Sequence, residues 1–263
     1  GWTAGNTYCL NSNIIDSGSN CISIGTNNII LDCKGHTIDG NGAASYGISV
    51  SRGSSTTTSV RIKNCVLSDW GAAGVYLRYA NGNTIANTTV TNSGRGAHLS
   101  VASTNTLANN TFLGNTLGGI FLYSGSAGNI LQNNTADGYY VSDCSNLLAA
   151  YNNYGPSGQP FLFLNHTSGR VIQNARYSQI LFCSVNNSVI NNVSNRNSSN
   201  FAYNYGGIDI RDSRNVVVKN SNLSYIRGFG ISVSGAITRA TIVNNTVSHI
   251  DGTGIFDNPA AIS

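Results

Sequence analysis

The chain has 263 residues and a net charge of +4, with 40% apolar and only 9% charged side chains and no Met or Glu at all. Disorder needs low hydrophobicity with high charge, and helices need the Glu, Met, Lys and Ala that are absent or sparse here, so composition excludes a disordered tail and a helical bundle. The 14 Lys and Arg are scattered singly, which excludes a phosphate-tracking nucleic-acid binder, and no apolar run approaches the length of a membrane span.

In chain order, residues 1–20 read as an N-terminal strand and cap, with Tyr8-Cys9-Leu10 followed by polar turns. From 21 to 263 the sequence repeats a Gly-apolar-x-apolar unit: Gly47-Ile48-Ser49-Val50, Gly74-Val75-Tyr76-Leu77, Gly96-Ala97-His98-Leu99 and Gly119-Ile120-Phe121-Leu122. The unit returns at Gly207-Ile208-Asp209-Ile210, Gly230-Ile231-Ser232-Val233 and Gly254-Ile255-Phe256. A fixed period of this size marks stacked repeats. Within one repeat, short alternating segments such as 74–79, 83–86 and 89–91 predict strands, with Asn and Gly at the corners where left-handed backbone is required. The expected fold is all-β, a parallel β-helix of about ten coils. The stretch 139–207 is less regular, and 51–59, 151–159 and 195–206 predict protruding loops.

The run Cys21-Ile-Ser-Ile-Gly-Thr-Asn-Asn-Ile-Ile-Leu-Asp-Cys33-Lys-Gly-His-Thr-Ile38, followed by Tyr46-Gly-Ile-Ser-Val50 and Val60-Arg-Ile-Lys-Asn-Cys65, resembles the right-handed parallel β-helix repeat superfamily, which includes NosD-like and pectate-lyase-like proteins. The resemblance implies the fold and a secreted or surface setting. It leaves activity open, because the group holds lyases, hydrolases, epimerases, adhesins and proteins without chemistry.

Six cysteines in a low-charge chain imply an oxidising compartment. Cys33 and Cys65 fall within about a residue of one register in adjacent coils, close enough to bridge. Cys9 and Cys21 are expected to close the N-terminal segment, while Cys144 and Cys183, two turns apart, are expected to stay unpaired. The absence of any Met, with Gly1 leading, suggests a mature form that is extracellular or at the cell surface after signal-peptide removal.

The ten carboxylates are all Asp and nowhere adjacent. Asp209, Arg211 and Asp212 form the nearest approach to a catalytic constellation, but an exposed ion pair explains them better than catalysis. No metal-ligand spacing is present among the four His, and no cofactor is implied. Strand alternation places Tyr76, His98, Phe121, Tyr140, Leu162 and Leu181 in one outward column, an apolar interaction stripe over six coils. Nine Asn-x-Ser/Thr sequons begin at Asn87, Asn109, Asn133, Asn165, Asn186, Asn192, Asn197, Asn222 and Asn244. A coil-to-coil Asn ladder is the competing explanation for their regular placing.

The expected function is a secreted, non-enzymatic structural protein of the cell surface, self-associating head to tail into a homo-oligomer or filament, and N-glycosylated. The stripe, the absence of capping helices and the missing catalytic carboxylates motivate this reading. The alternative is a polysaccharide-binding or polysaccharide-cleaving β-helix protein working through Tyr76, Phe121, Tyr140 and the Asp209–Asp212 patch.

Overall fold

A computed structural model describes residues 1–43, 45–196, 206–235 and 239–257. The chain is an almost wholly β parallel solenoid of about ten turns, as expected from the repeat. It divides into two compact units, Gly1–Asn153 and Tyr154–Ser263.

In the first unit each turn contributes one strand to each of three parallel sheets. The front sheet runs Ile22–Ile24, Tyr46–Val50, Ala73–Arg78, Arg95–Ser100, Gly118–Leu122 and Tyr139–Val141. Its inward residues, Ile48, Val50, Val75, Leu77, Ala97, Leu99, Ile120 and Leu122, are completely buried. The second sheet begins with Thr7–Cys9 and the third with Ile14–Ser17, so the first 20 residues supply strands to both.

The glycine that leads each repeat is required by close approach rather than by backbone angle. A Cβ on Gly74 would stand 2.3 Å from Val90 Cγ1, and one on Gly96 would stand 2.5 Å from Phe112 Cβ. The front sheet thus presses on the third sheet where no side chain fits. Corner asparagines Asn64, Asn87, Asn109 and Asn133 all have φ between 50° and 58°, the left-handed region that Asn tolerates.

Buried asparagines tie one turn to the next. Asn83 donates its backbone N–H and its side-chain amide to Asn105 Oδ1 at 2.8 and 3.1 Å. Asn105 repeats the pattern on Asn129 at 2.9 and 3.1 Å. A second ladder runs Asn110, Asn134, Asn153 in the same manner. A third ends on a carboxylate: Asp137 accepts the N–H groups of Gly114 at 3.2 Å and Asn115 at 2.9 Å.

Cys33 and Cys65 form a disulfide between neighbouring coils, with Cα atoms 4.8 Å apart. Two cysteine expectations are corrected. Cys9 and Cys21 are free, because Cys9 ends a strand of the second sheet while Cys21 leads into the front sheet. Cys144 and Cys183 are both disulfide-bonded rather than unpaired; the expectation rested on counting turns through the irregular stretch 139–207.

The second unit has a sheet with Phe161–Asn165, Gln179–Cys183, Ile208–Arg211 and Asn222–Ser234 side by side, and a four-stranded sheet from Val171–Gln173 to Arg239–Val243. Its core gathers Ile180, Phe182, Ile190, Ile208, Ile210, Val216, Val218, Leu223 and Ile231.

Candidate functional site

The outward column of the front sheet holds in the first unit. Register pairs Ser49 with Tyr76, Tyr76 with His98, His98 with Phe121, and Phe121 with Tyr140. Rings at rung spacing touch. Tyr46 stacks on Tyr76 at 4.3 Å between centroids, Tyr76 meets His98 at 5.1 Å, and Phe121 stacks on Tyr140 at 5.1 Å. Tyr123 stands beside them, 6.2 Å from His98 and 6.0 Å from Tyr140. The Arg95 guanidinium lies 4.8 Å from the centre of the Phe121 ring, a cation–π contact.

The environment tunes the two titratable members. Burial, reinforced by the Arg95 charge, holds His98 down at about 4, so its imidazole is neutral at neutral pH. Burial also raises Tyr76, helped by the neighbouring Tyr46 phenol.

At one end the column opens into a cleft of about 420 Å³ lined by Tyr123, Tyr140, Ser142, Asp143 and Asn146. Asp143 is turned onto its own loop, accepting from the Ser145 N–H at 2.8 Å and Oγ–H at 2.6 Å. Rings stacked on each other present edges and hydroxyls outward, while Tyr123, half exposed, extends past the file. The arrangement provides a rigid platform with aromatic, hydroxyl, amide and guanidinium groups, without two carboxylates poised around one point.

Tyr46, Tyr123 and Arg95 were not among the expected interaction residues. Tyr123 lies two residues beyond Phe121, so alternation carried one step past the repeat would have found it. Tyr46 and Arg95 each precede an outward residue by three, at the start of their strands.

In the second unit the column is corrected. Leu162 pairs with Ile180 and packs on the core, whereas Phe163 is the residue in register with Leu181. Leu181 is itself 1% exposed and Asp209 4%. Asp209 and Arg211 do form an ion pair, with Arg211 Nε at 2.9 Å from Asp209 Oδ2, but it is buried rather than exposed. Asp212 is exposed at a left-handed corner.

The sequon asparagines fall into different settings. Asn87, Asn109 and Asn133 are exposed corner residues, and their amides join an outer ladder: Asn133 Nδ2 donates to Asn109 Oδ1 at 3.0 Å and Asn87 Nδ2 to Asn64 Oδ1 at 3.3 Å. Asn192 donates likewise to Asn174 at 2.8 Å. Asn165 and Asn186 are half-buried, Asn222 and Asn244 are exposed, and Asn197 lies outside the described residues. The buried ladders use other asparagines: Asn110 and Asn134 one residue after the sequon corner, and Asn83, Asn105 and Asn129 four residues before it. Among the described residues no three His, Cys or Asp stand together as a metal site, and no helix is long and apolar enough to cross a membrane.

The model of the right-handed β-helix region matches residues 2–155, more than half of the sequence. The chain belongs to the right-handed β-helix family. No curated protein matches it in sequence. Among solved structures it is similar to an alginate lyase from Paenibacillus sp. str. FPU-7, at 14% identity and a TM-score of 0.40 over 97% of this chain and 93% of that one. The A-module of a mannuronan C-5 epimerase from Azotobacter vinelandii follows at 12% identity and a TM-score of 0.35, over 98% and 80% of the two chains. The catalytic domain of a GH87 α-1,3-glucanase, solved with tetrasaccharides, gives 13% identity and 0.36 over 98% and 64%. At these values the likeness is one of fold.

The expectation of a non-enzymatic structural protein that stacks into filaments is corrected. One of its three premises was an apolar stripe exposed across six coils, whereas Phe121 and Leu181 are buried and Leu162 faces the core. The three solved structures named above are those of a lyase, an epimerase and a glucanase, and their likeness to the chain is one of fold.

Proposed function

We infer that the first unit is a polysaccharide-binding face, and that the protein works on extracellular glycans. The carrying observation is the file Tyr46, Tyr76, His98, Phe121, Tyr140, set at rung spacing and running into the Tyr123 cleft. A repeating polymer suits a repeating platform. Sugar rings offer apolar C–H faces to the exposed Tyr123 ring and hydroxyls to the phenols of the file, Ser142 and Asn146. Arg78, exposed at the edge of the same sheet, and the net charge of +4 favour an acidic chain. The two disulfides suit the oxidising setting in which such polymers occur.

Affinity electrophoresis in gels carrying an acidic or a neutral polysaccharide tests the reading. The protein is expected to be retarded by the acidic polymer, and Tyr123→Ala to restore mobility with a fold-change in affinity of about 10. Equal mobility in all gels for both proteins would discard it.

A second reading is cleavage by proton abstraction, which one observation favours: His98 stays neutral while Arg95 supplies a fixed positive charge beside it. A neutral imidazole is the form able to accept a proton, but one held at about 4 is a weak base at neutral pH, so this reading ranks second. Appearance of unsaturated products from the acidic polymer, lost in His98→Gln while retardation persists, would establish cleavage; retardation without products leaves binding alone.

A further inference from the structure

The second unit has a cleft of its own, about 500 Å³ in volume, well within the range of small-molecule sites. Arg176, Tyr177, Tyr225, Gln159, Asn195 and Asn222 line it. We propose that this cleft is a second, separate saccharide site, selective for a carboxylated sugar of the uronic acid class.

The chemistry of the lining supports that class. Arg176 is exposed, makes no ion pair among the described residues, and is the one charged side chain of the lining. An unpaired guanidinium at the mouth of a cleft without carboxylates selects an anion, and its planar fork matches a carboxylate with two hydrogen bonds. The rest of the lining is neutral: Ser, Asn and Gln side chains that give and accept hydrogen bonds with hydroxyl groups, and two tyrosines.

The tyrosines are held differently. Tyr177 is half-buried and packs on the core, which fixes it. Tyr225 is 48% exposed, and one face of its ring is covered by His249 at 4.5 Å and 9°. Its φ of 56° lies in the left-handed region, a costly conformation for a bulky side chain, at a corner type that this chain often fills with Asn. That cost places a ring at the cleft instead of a short amide. Asn195 adds an acceptor: its amide hydrogens engage the carbonyls of Ser178 and Gly206, and Oδ1 is buried without a hydrogen-bond partner among the described residues.

Isothermal titration of the Tyr123→Ala protein, with the first-unit face disabled, isolates this cleft from the reading above. Sodium D-glucuronate is expected to bind saturably and at least about fivefold tighter than D-glucose. Arg176→Gln should erase that preference, and Tyr225→Asn should weaken both sugars about tenfold. The Asn replacement suits the left-handed corner, so an unchanged thermal midpoint would show that the fold survives. Equal affinity for the two sugars, absence of saturable binding, or preference retained in Arg176→Gln would overturn the proposal. So would an N-linked glycan on Asn222, which would fill the cleft.

Discussion

Asp137 is the residue whose chemistry departs furthest from its surroundings. It is 1% exposed and caps a ladder that elsewhere uses neutral Ser and Asn. Burial pushes its carboxyl up to about 6, although the N–H groups of Asn115 and Gly114 pull the other way. A carboxyl whose folded value is raised binds its proton more tightly in the folded state. Stability is therefore fullest below about pH 4 and declines as pH rises through about 6, by roughly 3 kcal/mol for a shift of this size. Asp137→Asn removes that decline. It keeps one acceptor oxygen for the two N–H groups, so the net gain at pH 7 is expected to be about 1–2 kcal/mol, vanishing by pH 4. Urea unfolding of both proteins across this range is the measurement. A variant less stable than the parent at pH 7 would show that the charge is better accommodated than burial implies.

Among the elements, the ladders and the disulfide carry the cross-coil connections that the first unit's short strands, two to six residues each, cannot supply alone. Asn105 is completely buried and engages Asn83, Ala80 and Asn129. Asn105→Ala strands buried donors and acceptors in both flanking turns, and is expected to cost about 3–5 kcal/mol in chemical unfolding. A loss under about 1 kcal/mol would mean that water replaces the amide. The Cys33–Cys65 bridge closes a separation of 32 residues, and its removal as Cys33→Ser with Cys65→Ser should cost about 3–4 kcal/mol, read as a lower thermal midpoint than that of oxidised wild type. Its position was legible from register, because Ile30-Leu31-Asp32 and Arg61-Ile62-Lys63 alternate cleanly and pair as alternation dictates. Where alternation fails, so does inference. Phe161-Leu162-Phe163-Leu164 offers four apolar residues in a row, and nothing local says which pair faces inward; the inward set proved to include Leu162, one step from the position counted along the sequence. The burial of Asp209 was equally hidden, since cover over an outward residue comes from elsewhere in the chain.

For the whole molecule, the repeat disclosed the fold and the aromatic file of the first unit, but neither cleft. Both clefts combine residues from loops and corners whose spacing follows no period: Tyr123 with Asn146, and Gln159 with Tyr225. Saccharide binding and the two clefts belong to this scale, because each is composed only when several turns are stacked. The titrations described above therefore also probe the stacking. Sugar affinity at either cleft is expected to vanish in the same urea range as the parallel sheets, followed by circular dichroism, and affinity surviving loss of the sheet signal would separate them.

The asparagine ladder has one more bearing. Asn83 addresses Asn105 with the same two groups that Asn105 turns towards Asn129. Every storey thus finishes on the chemistry with which it started, and a gene segment encoding one storey can be copied or excised with a matched seam. Chain length in such a protein is a quantity that duplication can adjust in whole steps, lengthening the aromatic-faced wall without redesigning the joints.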